Sequence, residues 1–313
     1  MTYTNPYPYS HFAADGQDIL VGGLTESISF QLRVNGTTVV SETYNYDTDG
    51  QVRILGIADM VSQCLYGTLS AGSQPNARAT VDFLINDAVV SSHDLYSSRM
   101  CNPADPQGQK RVMAAATRAT CHPGTPFYLT FAGSVAASLR RADGSEIASV
   151  SVGSPGTVYT QDCDPRALFP SSWQQGAAVT FGGELEARIG APACQDNVPV
   201  RFLNRYDVME SLVAAWLEDK PSATDSASLM DGRRTRFGVK ATTEYTLKSM
   251  PMAHQEEYVA WEDLLMARKA QVWLHGAWQD IIVTKANYTH RRRQMYGQQA
   301  EISFQTANPN IIL

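Results

Sequence analysis

Apolar and polar residues alternate over much of the first 190 residues. Between Ile28 and Val34 every second residue is apolar, which is the period of a strand with one buried face. Asn35-Gly36 follows at once and is typical of a two-residue hairpin turn, so residues 39–46 are predicted to form the returning strand. Residues 54–65 carry an imperfect helical stripe instead and predict the one helix of this region.

Short strands separated by turn residues continue as far as residue 189. A strand at 81–85 ends at Asn86-Asp87, and Asp143-Gly144 marks another tight turn. Residues 96–109 are rich in Ser, Asn, Pro and Asp and predict a surface loop. Further strands are predicted at 111–117, 127–131, 135–141, 146–152, 157–161 and 179–189. Strands at this spacing are typical of a sandwich or barrel, so residues 1–197 are predicted to be a β-rich, sandwich-like domain with an N-terminal arm.

The pattern changes after a Gly, Pro and Asn cluster at residues 190–199. Residues 198–313 predict an α+β domain in the order β-α-β-α-β-β-β, with an antiparallel sheet and two helices. The predicted elements are a strand at 198–203, a helix from Asp207 to Pro221, a strand at 236–248, a helix at 254–269, a hairpin around Gly276-Ala277 and a strand at 300–306. The overall class is therefore mainly β.

Composition and charge narrow the range of functions. The 313 residues are 43% hydrophobic and only 18% charged, and the formal net charge is −6. A general nucleic-acid binder usually has a basic face, so we expect no sequence-specific nucleic-acid binding. No apolar run approaches the roughly 20 residues of a membrane span, and residues 1–18 lack the pattern of a signal peptide, so we expect no membrane association.

Metal and catalytic motifs are weak or missing. Cys101, Cys121-His122 and the run Asp162-Cys163-Asp164 could supply zinc ligands, but their spacing matches no structural zinc pattern. Asp47, Asp49 and Gly50 resemble the start of a calcium loop but lie between predicted strands, which favours a turn. We therefore expect no metal and no cofactor.

Paired carboxylates occur at Glu256-Glu257 and Glu262-Asp263, on the predicted helix 254–269. A solvated helix face explains both pairs better than acid/base catalysis. The chain contains no nucleophile elbow, phosphate-binding loop or zinc-protease motif. We expect no enzymatic activity.

Two segments are candidate interfaces with other subunits. The N-terminal arm is rich in Tyr and Pro, and such arms often dock on a partner, although fraying is the alternative. The basic run at 291–293 is predicted to tip a hairpin, where solvent exposure, a protein contact and a nucleic-acid contact are the alternatives, as for the second cluster of Arg233, Arg234 and Arg236. The candidate interface residues are Tyr3, Tyr7, Tyr9, Arg291, Arg292 and Arg293.

Six short segments of the C-terminal third together form a recognisable pattern. They are Val200–Tyr206, Thr243–Tyr245, Ala267–Val272, Asp280–Thr284, Ile302–Phe304 and Ala307–Asn310. With this pattern the C-terminal third resembles a family of uncharacterised phage and prophage virion proteins of anaerobic gut bacteria that are placed with tail or baseplate components. The resemblance covers residues 198–313 and departs from the family pattern at Asp207, where a small residue such as Gly is usual.

The resemblance implies a structural virion component that acts through assembly. Its partners would be other copies of itself and neighbouring virion proteins, and it would be found in virions assembled in the host bacterial cytoplasm. An alternative is a carbohydrate- or receptor-binding β-sandwich, with Trp173, Trp273 and Trp278 as a candidate stacking platform for a surface glycan. Burial in the core is the competing interpretation of Trp273. A third alternative is a glycan hydrolase with two carboxylates distant in sequence.

Overall fold

The computed structural model describes residues 1–100, 110–192, 194, 197–230, 233–252, 254–286 and 299–307, with the backbone alone described within 223–242. Strands predominate, and the predicted mainly β class is confirmed. The first nine labelled elements are β1 (Thr2–Tyr3), β2 (Ile19–Gly22), β3 (Ile28–Val34), β4 (Thr37–Tyr44), β5 (Gln51–Ile54), α1 (Ile57–Cys64), β6 (Gly72–Ser73), β7 (Arg78–Ile85) and β8 (Ala88–Tyr96).

Two small sheets face each other in the N-terminal region. One has the strand order β1-β2-β5 and the other β4-β3-β7-β8. Alternate residues of both sheets, among them Val21, Phe30 and Phe83, meet in one buried core with Val61 of α1. The predicted hairpin is confirmed, since Asn35 and Gly36 have φ values of 49° and 79° between β3 and β4. The Asn86-Asp87 turn between β7 and β8 is confirmed in the same way, with φ values of 49° and 64°.

A larger sheet with its own core follows. Its elements are β9 (Arg118–Cys121), β10 (Tyr128–Arg140), β11 (Glu146–Asp162), α2 (Pro165–Leu168), β12 (Ala178–Phe181) and β13 (Leu185–Ile189). The strand order is β6-β11-β10-β12-β13-β9, and the β13–β9 pair is parallel. The separate strands predicted at 127–131 and 135–141 form one strand, because Gly133, with φ of 93°, accommodates a bulge without ending the ladder.

The remaining elements build a closed barrel. They are β14 (Val198–Leu203), β15 (Met209–Met230), β16 (Arg233–Ser249), α3 (Tyr258–Leu265), β17 (Ala270–Leu274), β18 (Ala277–Ala286) and β19 (Glu301–Thr306). The strands close in the order β14-β15-β16-β19-β18-β17. Phe202, Leu247 and Phe304 fill the interior, and Trp261 and Leu264 of α3 pack against them. The boundary at residue 197 between two domains stays a prediction.

The helix predicted from Asp207 is wrong, because this segment is strand β15. Asp207 has φ of +54° in the tight turn that joins Leu203 to Met209, and β15 then pairs with β14. The second face of β15 lies against β10, where Thr130 donates to the Met209 carbonyl at 2.9 Å. A strand that is covered on both faces does not need to alternate apolar and polar residues. The apolar residues of β15 could therefore recur at the spacing expected of a helix.

Two further predictions need correction. Residues 111–117 are not a strand; only Val112 forms a bridge, with Phe131, and the small residues 114–116 pack against other elements instead. The second helix is shorter than 254–269, because a 3₁₀ turn at Gln255–Glu257 precedes α3 and α3 ends at Leu265.

Candidate functional site

The most unusual feature of the barrel is a two-stranded ribbon that projects from it. Strand β15 leaves its partner β14 at Ala214, and β16 leaves β19 at Tyr245. Beyond these points β15 and β16 pair with each other, from Lys220 opposite Glu244 to Met230 opposite Arg233, and with no other strand of the described ranges. We call residues 219–230 and 233–244 the ribbon. At about 3.3 Å per residue its twelve residues per strand extend roughly 40 Å.

The outer edges of the ribbon have no third strand among the residues that the structure describes. Such edges present rows of backbone N–H and C=O groups that can pair with another chain. Pro221, opposite Thr243, lacks an N–H group and is of the kind found on edge strands. The ribbon therefore offers backbone pairing over most of its length.

Charged side chains surround the base of the ribbon. Lys248 contacts Glu218 at 2.8 Å and Glu301 at 3.7 Å. The hydrogen bond to Glu218, and after it the charges of both carboxylates, raise the pKa of this lysine. The indole of Trp216 is 38% exposed and lies 5.8 Å from the Lys248 ammonium. The base is thus a solvated ion-pair network with one exposed aromatic ring.

The predicted arginine interface falls largely outside this description. Arg291, Arg292 and Arg293 lie outside the described residues. The second arginine cluster belongs to β16 of the ribbon by its backbone pairing, where Arg236 lies opposite Ala227. Its side chains are also outside the described part.

The N-terminal tyrosines differ in what they can offer a partner. Tyr7 is 3% exposed and its hydroxyl donates to the Ala13 carbonyl at 2.8 Å, so it belongs to the chain's own core. Tyr3 is half-buried with its hydroxyl 2.8 Å from that of Ser91, and burial raises its pKa to about 12. Tyr9 is 78% exposed. Only Tyr9 keeps a free ring, and its interface role stays a prediction.

A buried polar cluster joins the barrel to the region before β9. Glu210 on β15 is 5% exposed and accepts from the Ala115 backbone at 2.8 Å and from Asn204 Nδ2 at 2.7 Å. Asn204 also donates to the Met113 carbonyl at 2.7 Å. Burial raises the pKa of Glu210 to about 7, an effect opposed by these hydrogen bonds and by Lys110.

Two ion pairs complete this junction. Arg205 forms a forked pair with Asp263, whose carboxylate is 1% exposed. Arg268 pairs with Asp207, and burial raises the pKa of that carboxyl despite the arginine. These contacts hold the turn before β15 against α3 and the residues that follow it. We call this set of buried groups the junction.

The solvated-face interpretation of the paired carboxylates is wrong for Glu257 and Asp263, which are buried, whereas Glu256 is exposed. Glu257 is 9% exposed, accepts from Thr120 Oγ1 at 2.9 Å and from the His254 backbone at 3.2 Å, and so ties α3 to β9. Asp263 is 2% exposed in its pair with Arg205. These helix acids attach α3 to neighbouring elements, which explains their burial without catalysis.

Of the possible zinc ligands, Cys101 lies outside the described residues, and Cys121 and Cys163 belong to the core of the second sheet. Cys121 and Cys163 are buried together, and burial raises the pKa of both thiols. The His122 ring bonds the Ala191 carbonyl at 3.0 Å. In the part of the chain that the structure describes, no three acidic, His or Cys side chains converge as a metal site would require. Asp47 forms the predicted turn, accepting from the Asp49 and Gln51 backbone at 2.9 and 2.8 Å.

The three tryptophans do not form one platform. Trp173 packs beside the core of the six-stranded sheet, with the Arg166 guanidinium 5.4 Å from its ring. Trp273 and Trp278 lie together on the outside of the barrel, with ring centroids 5.3 Å apart. Trp273 is 41% exposed, so its assignment to the core is wrong.

Sequence reasoning missed the junction altogether. The available indication was the pair of polar residues, Asn204 and Glu210, inside an otherwise apolar stretch. Buried polar groups need partners, and these two residues partner each other.

Among the described residues, no helix is long and apolar enough to cross a membrane. No protein-family model matches the chain, and no curated protein matches it either.

Proposed function

We propose that this chain is a structural component of the tail or baseplate of a tailed phage or prophage-derived virion, and that it acts through subunit assembly. The observation that carries the proposal is the ribbon: two paired strands that leave a closed barrel with their outer edges unpaired among the described residues. Resemblance of residues 198–313 to virion proteins agrees with this role.

The physical argument starts from the cost of an exposed edge. A long unpaired edge risks unspecific aggregation and gives the isolated barrel little stability, since the barrel closes without it. Pairing with the edges of neighbouring subunits satisfies these groups and extends the sheet from one subunit to the next. Repeated around a symmetry axis, such contacts make a closed oligomer. The partners would be further copies of this chain and adjoining virion proteins in the host bacterial cytoplasm.

The test is removal of the ribbon. Replacing residues 221–243 with Asn-Gly leaves Lys220 and Glu244 as the pair that flanks a two-residue turn. We expect the full chain to form oligomers whose sedimentation coefficient rises with concentration. The shortened chain is expected to remain monomeric, and its circular dichroism signal, normalised to the number of strand residues left, should equal that of the full chain.

A matched control shortens a different exposed turn. Residues 142–144 between β10 and β11 can be replaced by Asn-Gly, because Arg140 and Glu146 remain paired on either side. This variant is expected to assemble like the full chain. A full-length chain that stays monomeric at every concentration, alone and when mixed with the proteins of its virion, would contradict the proposal.

A further inference from the structure

A tryptophan pair stands on the outer wall of the barrel, away from the ribbon. Trp273 on β17 and Trp278 on β18 are direct cross-strand partners next to the turn formed by His275 and Gly276, whose φ values are 50° and 78°. The rings meet at 69°, and Trp273 remains 41% exposed. The barrel therefore holds an indole in solvent on a rigid hairpin.

A row of polar side chains lies beside the tryptophans on the same face. Arg201 Nε on β14 donates to Gln271 Oε1 at 2.7 Å, and Gln271 Nε2 donates to Asp280 Oδ1 at 2.7 Å. The Arg201 guanidinium also lies 4.3 Å from the ring centroid of Trp278. Because these strands are neighbours, the row spans roughly 10 Å across the barrel.

Each end of the row keeps unused hydrogen-bonding capacity. Among the described residues, the terminal nitrogens of Arg201 and Oδ2 of Asp280 have no hydrogen-bond partner. Arg201 supplies donors, Asp280 supplies an acceptor, and Gln271 between them supplies both kinds of group. The hydrogen bonds within the row thus fix the orientation of its side chains, and their remaining polar groups face solvent.

The row continues into a cleft of about 810 Å³. Gln271, Asp280 and Ile282 line the barrel side of the cleft, and Tyr66 and Leu69 line the opposite side, which belongs to the loop after α1. That loop is fixed by the Gly67 amide, which donates to the Asp207 carbonyl at 2.7 Å. The cleft thus lies between the barrel wall and a loop that is hydrogen-bonded to the turn before β15.

We propose that this surface binds an extended glycan. Trp273 would stack against the C–H face of one sugar ring, while Arg201, Gln271 and Asp280 bond to hydroxyl groups and the cleft receives the neighbouring units. We call Arg201, Gln271, Trp273, Trp278 and Asp280 the glycan surface. A sugar matches it because its rings have apolar faces and rims of hydroxyls, each of which both donates and accepts.

The mixture of groups favours a glycan over a protein partner. Cores of protein interfaces are depleted in charged residues and rich in apolar area. On the glycan surface the Arg201 guanidinium lies 4.3 Å from the ring centroid of Trp278, and Gln271 precedes Trp273 by two residues on β17. The cleft adds the charged Lys269. The glycan surface is separate from the ribbon, so the inference does not depend on the proposed assembly.

Isothermal titration of the full chain tests the inference. The probes are chitohexaose, cellohexaose, maltohexaose and a hexamer of α2,8-linked sialic acid. We expect saturable binding of at least one probe, and the Trp273→Ala variant to weaken it about tenfold or more, which corresponds to the loss of one stacking contact. Tyr46→Ala is the control, since Tyr46 is 44% exposed elsewhere on the chain and is expected to leave binding unchanged.

Asp280→Asn separates hydrogen bonding from stacking. The amide of this variant keeps an oxygen that accepts from Gln271, but it replaces the second carboxylate oxygen with an NH2 group that only donates. Glycan binding should therefore weaken a few-fold although the indole of Trp273 is intact. Absence of saturable binding to all four probes would overturn the inference. It would equally be overturned if Trp273→Ala left glycan binding intact and instead altered the sedimentation coefficient, since the surface would then be a protein contact.

Discussion

The barrel and the ribbon share strands β15 and β16, but the backbone and side chains of these strands find different partners in the two parts. Within the barrel, β15 is covered on both faces and its buried Glu210 bonds to Asn204 and Ala115. Only a few residues farther along, the same strand carries Glu218, Asp219 and Lys220 into solvent and has one unpaired edge among the described residues. The difference shows that one strand can stabilise the fold at its base and present a binding edge at its end.

Removal of one aromatic ring from each part tests most directly whether the barrel and the ribbon differ in their contribution to stability. Phe202 is fully buried in the barrel on β14. Phe202→Ala is expected to lower the free energy of unfolding by about 3–5 kcal/mol, because a cavity replaces the ring. Trp216→Ala at the base of the ribbon removes a ring that is 38% exposed and should cost less than about 1 kcal/mol. Urea denaturation measures both.

Equal losses for the two variants would show that the ribbon base belongs to the folding core. The distinction between a stabilising barrel and a presenting ribbon would then be wrong. A large loss for Phe202→Ala alone, with the denaturant slope unchanged, keeps the two parts distinct.

The junction sharpens the comparison through its dependence on pH. Burial raises the pKa of Glu210 from its usual 4.5 to about 7, so the folded chain holds this proton over a range where the unfolded chain has lost it. The contribution of Glu210 to the free energy of unfolding is therefore highest below about pH 4.5, and it falls as pH rises from about 4.5 to about 7. The loss attributable to Glu210 reaches up to about 3 kcal/mol above pH 7.

Denaturation of the full chain and of Glu210→Gln at pH 5 and pH 8 measures this effect. Asp207 shifts in the same direction through burial, so the variant is expected to keep part of the slope and lose the part that belongs to Glu210. An identical slope in both proteins would mean that Glu210 does not titrate in the folded state as its burial requires.

The turns and single-faced strands could be predicted from local sequence, whereas the barrel could not. Asn35-Gly36 and the alternation before it determine their hairpin within ten residues, and β3 and β4 follow. Segment 207–217 was misassigned because its partners are only partly local. Strand β14 is its neighbour in sequence, but β10, which covers its second face, bonds it from 79 residues away. The same holds for Glu257 and Asp263, whose partners Thr120 and Arg205 lie far away in sequence.

The candidate surfaces follow the same division. Exposed Tyr9 and the presence of tryptophans could be read from the sequence, but the burial of Tyr7 and the separation of Trp173 from Trp273 depend on tertiary packing. The polar row beside Trp273 joins β14 to β17 and β18 across some 70 residues of chain. Such a row cannot be predicted from sequence, because its members come together only in the closed barrel.

A smaller loss than that of Phe202→Ala is predicted at the contact that fixes the cleft to the junction. A Cβ added at Gly67 would lie 2.6 Å from the Asp207 carbonyl oxygen, a backbone atom that cannot move without disturbing the turn before β15. Gly67→Ala is therefore expected to cost about 1–2 kcal/mol and to shift the loop 65–69 away from the barrel. Gly36→Ala is the control for a local loss of stability elsewhere, since its φ of 79° strains an Ala in a distant turn although no atom lies within 4 Å of the added carbon. Hydrogen exchange of the Gly67 amide, which bonds Asp207 at 2.7 Å, should accelerate when Ala replaces Gly67 and remain slow in the control. Unchanged protection at residue 67 would mean that the loop or the turn yields to the added carbon with the hydrogen bond intact, and the cleft would then not be the fixed groove that a glycan needs.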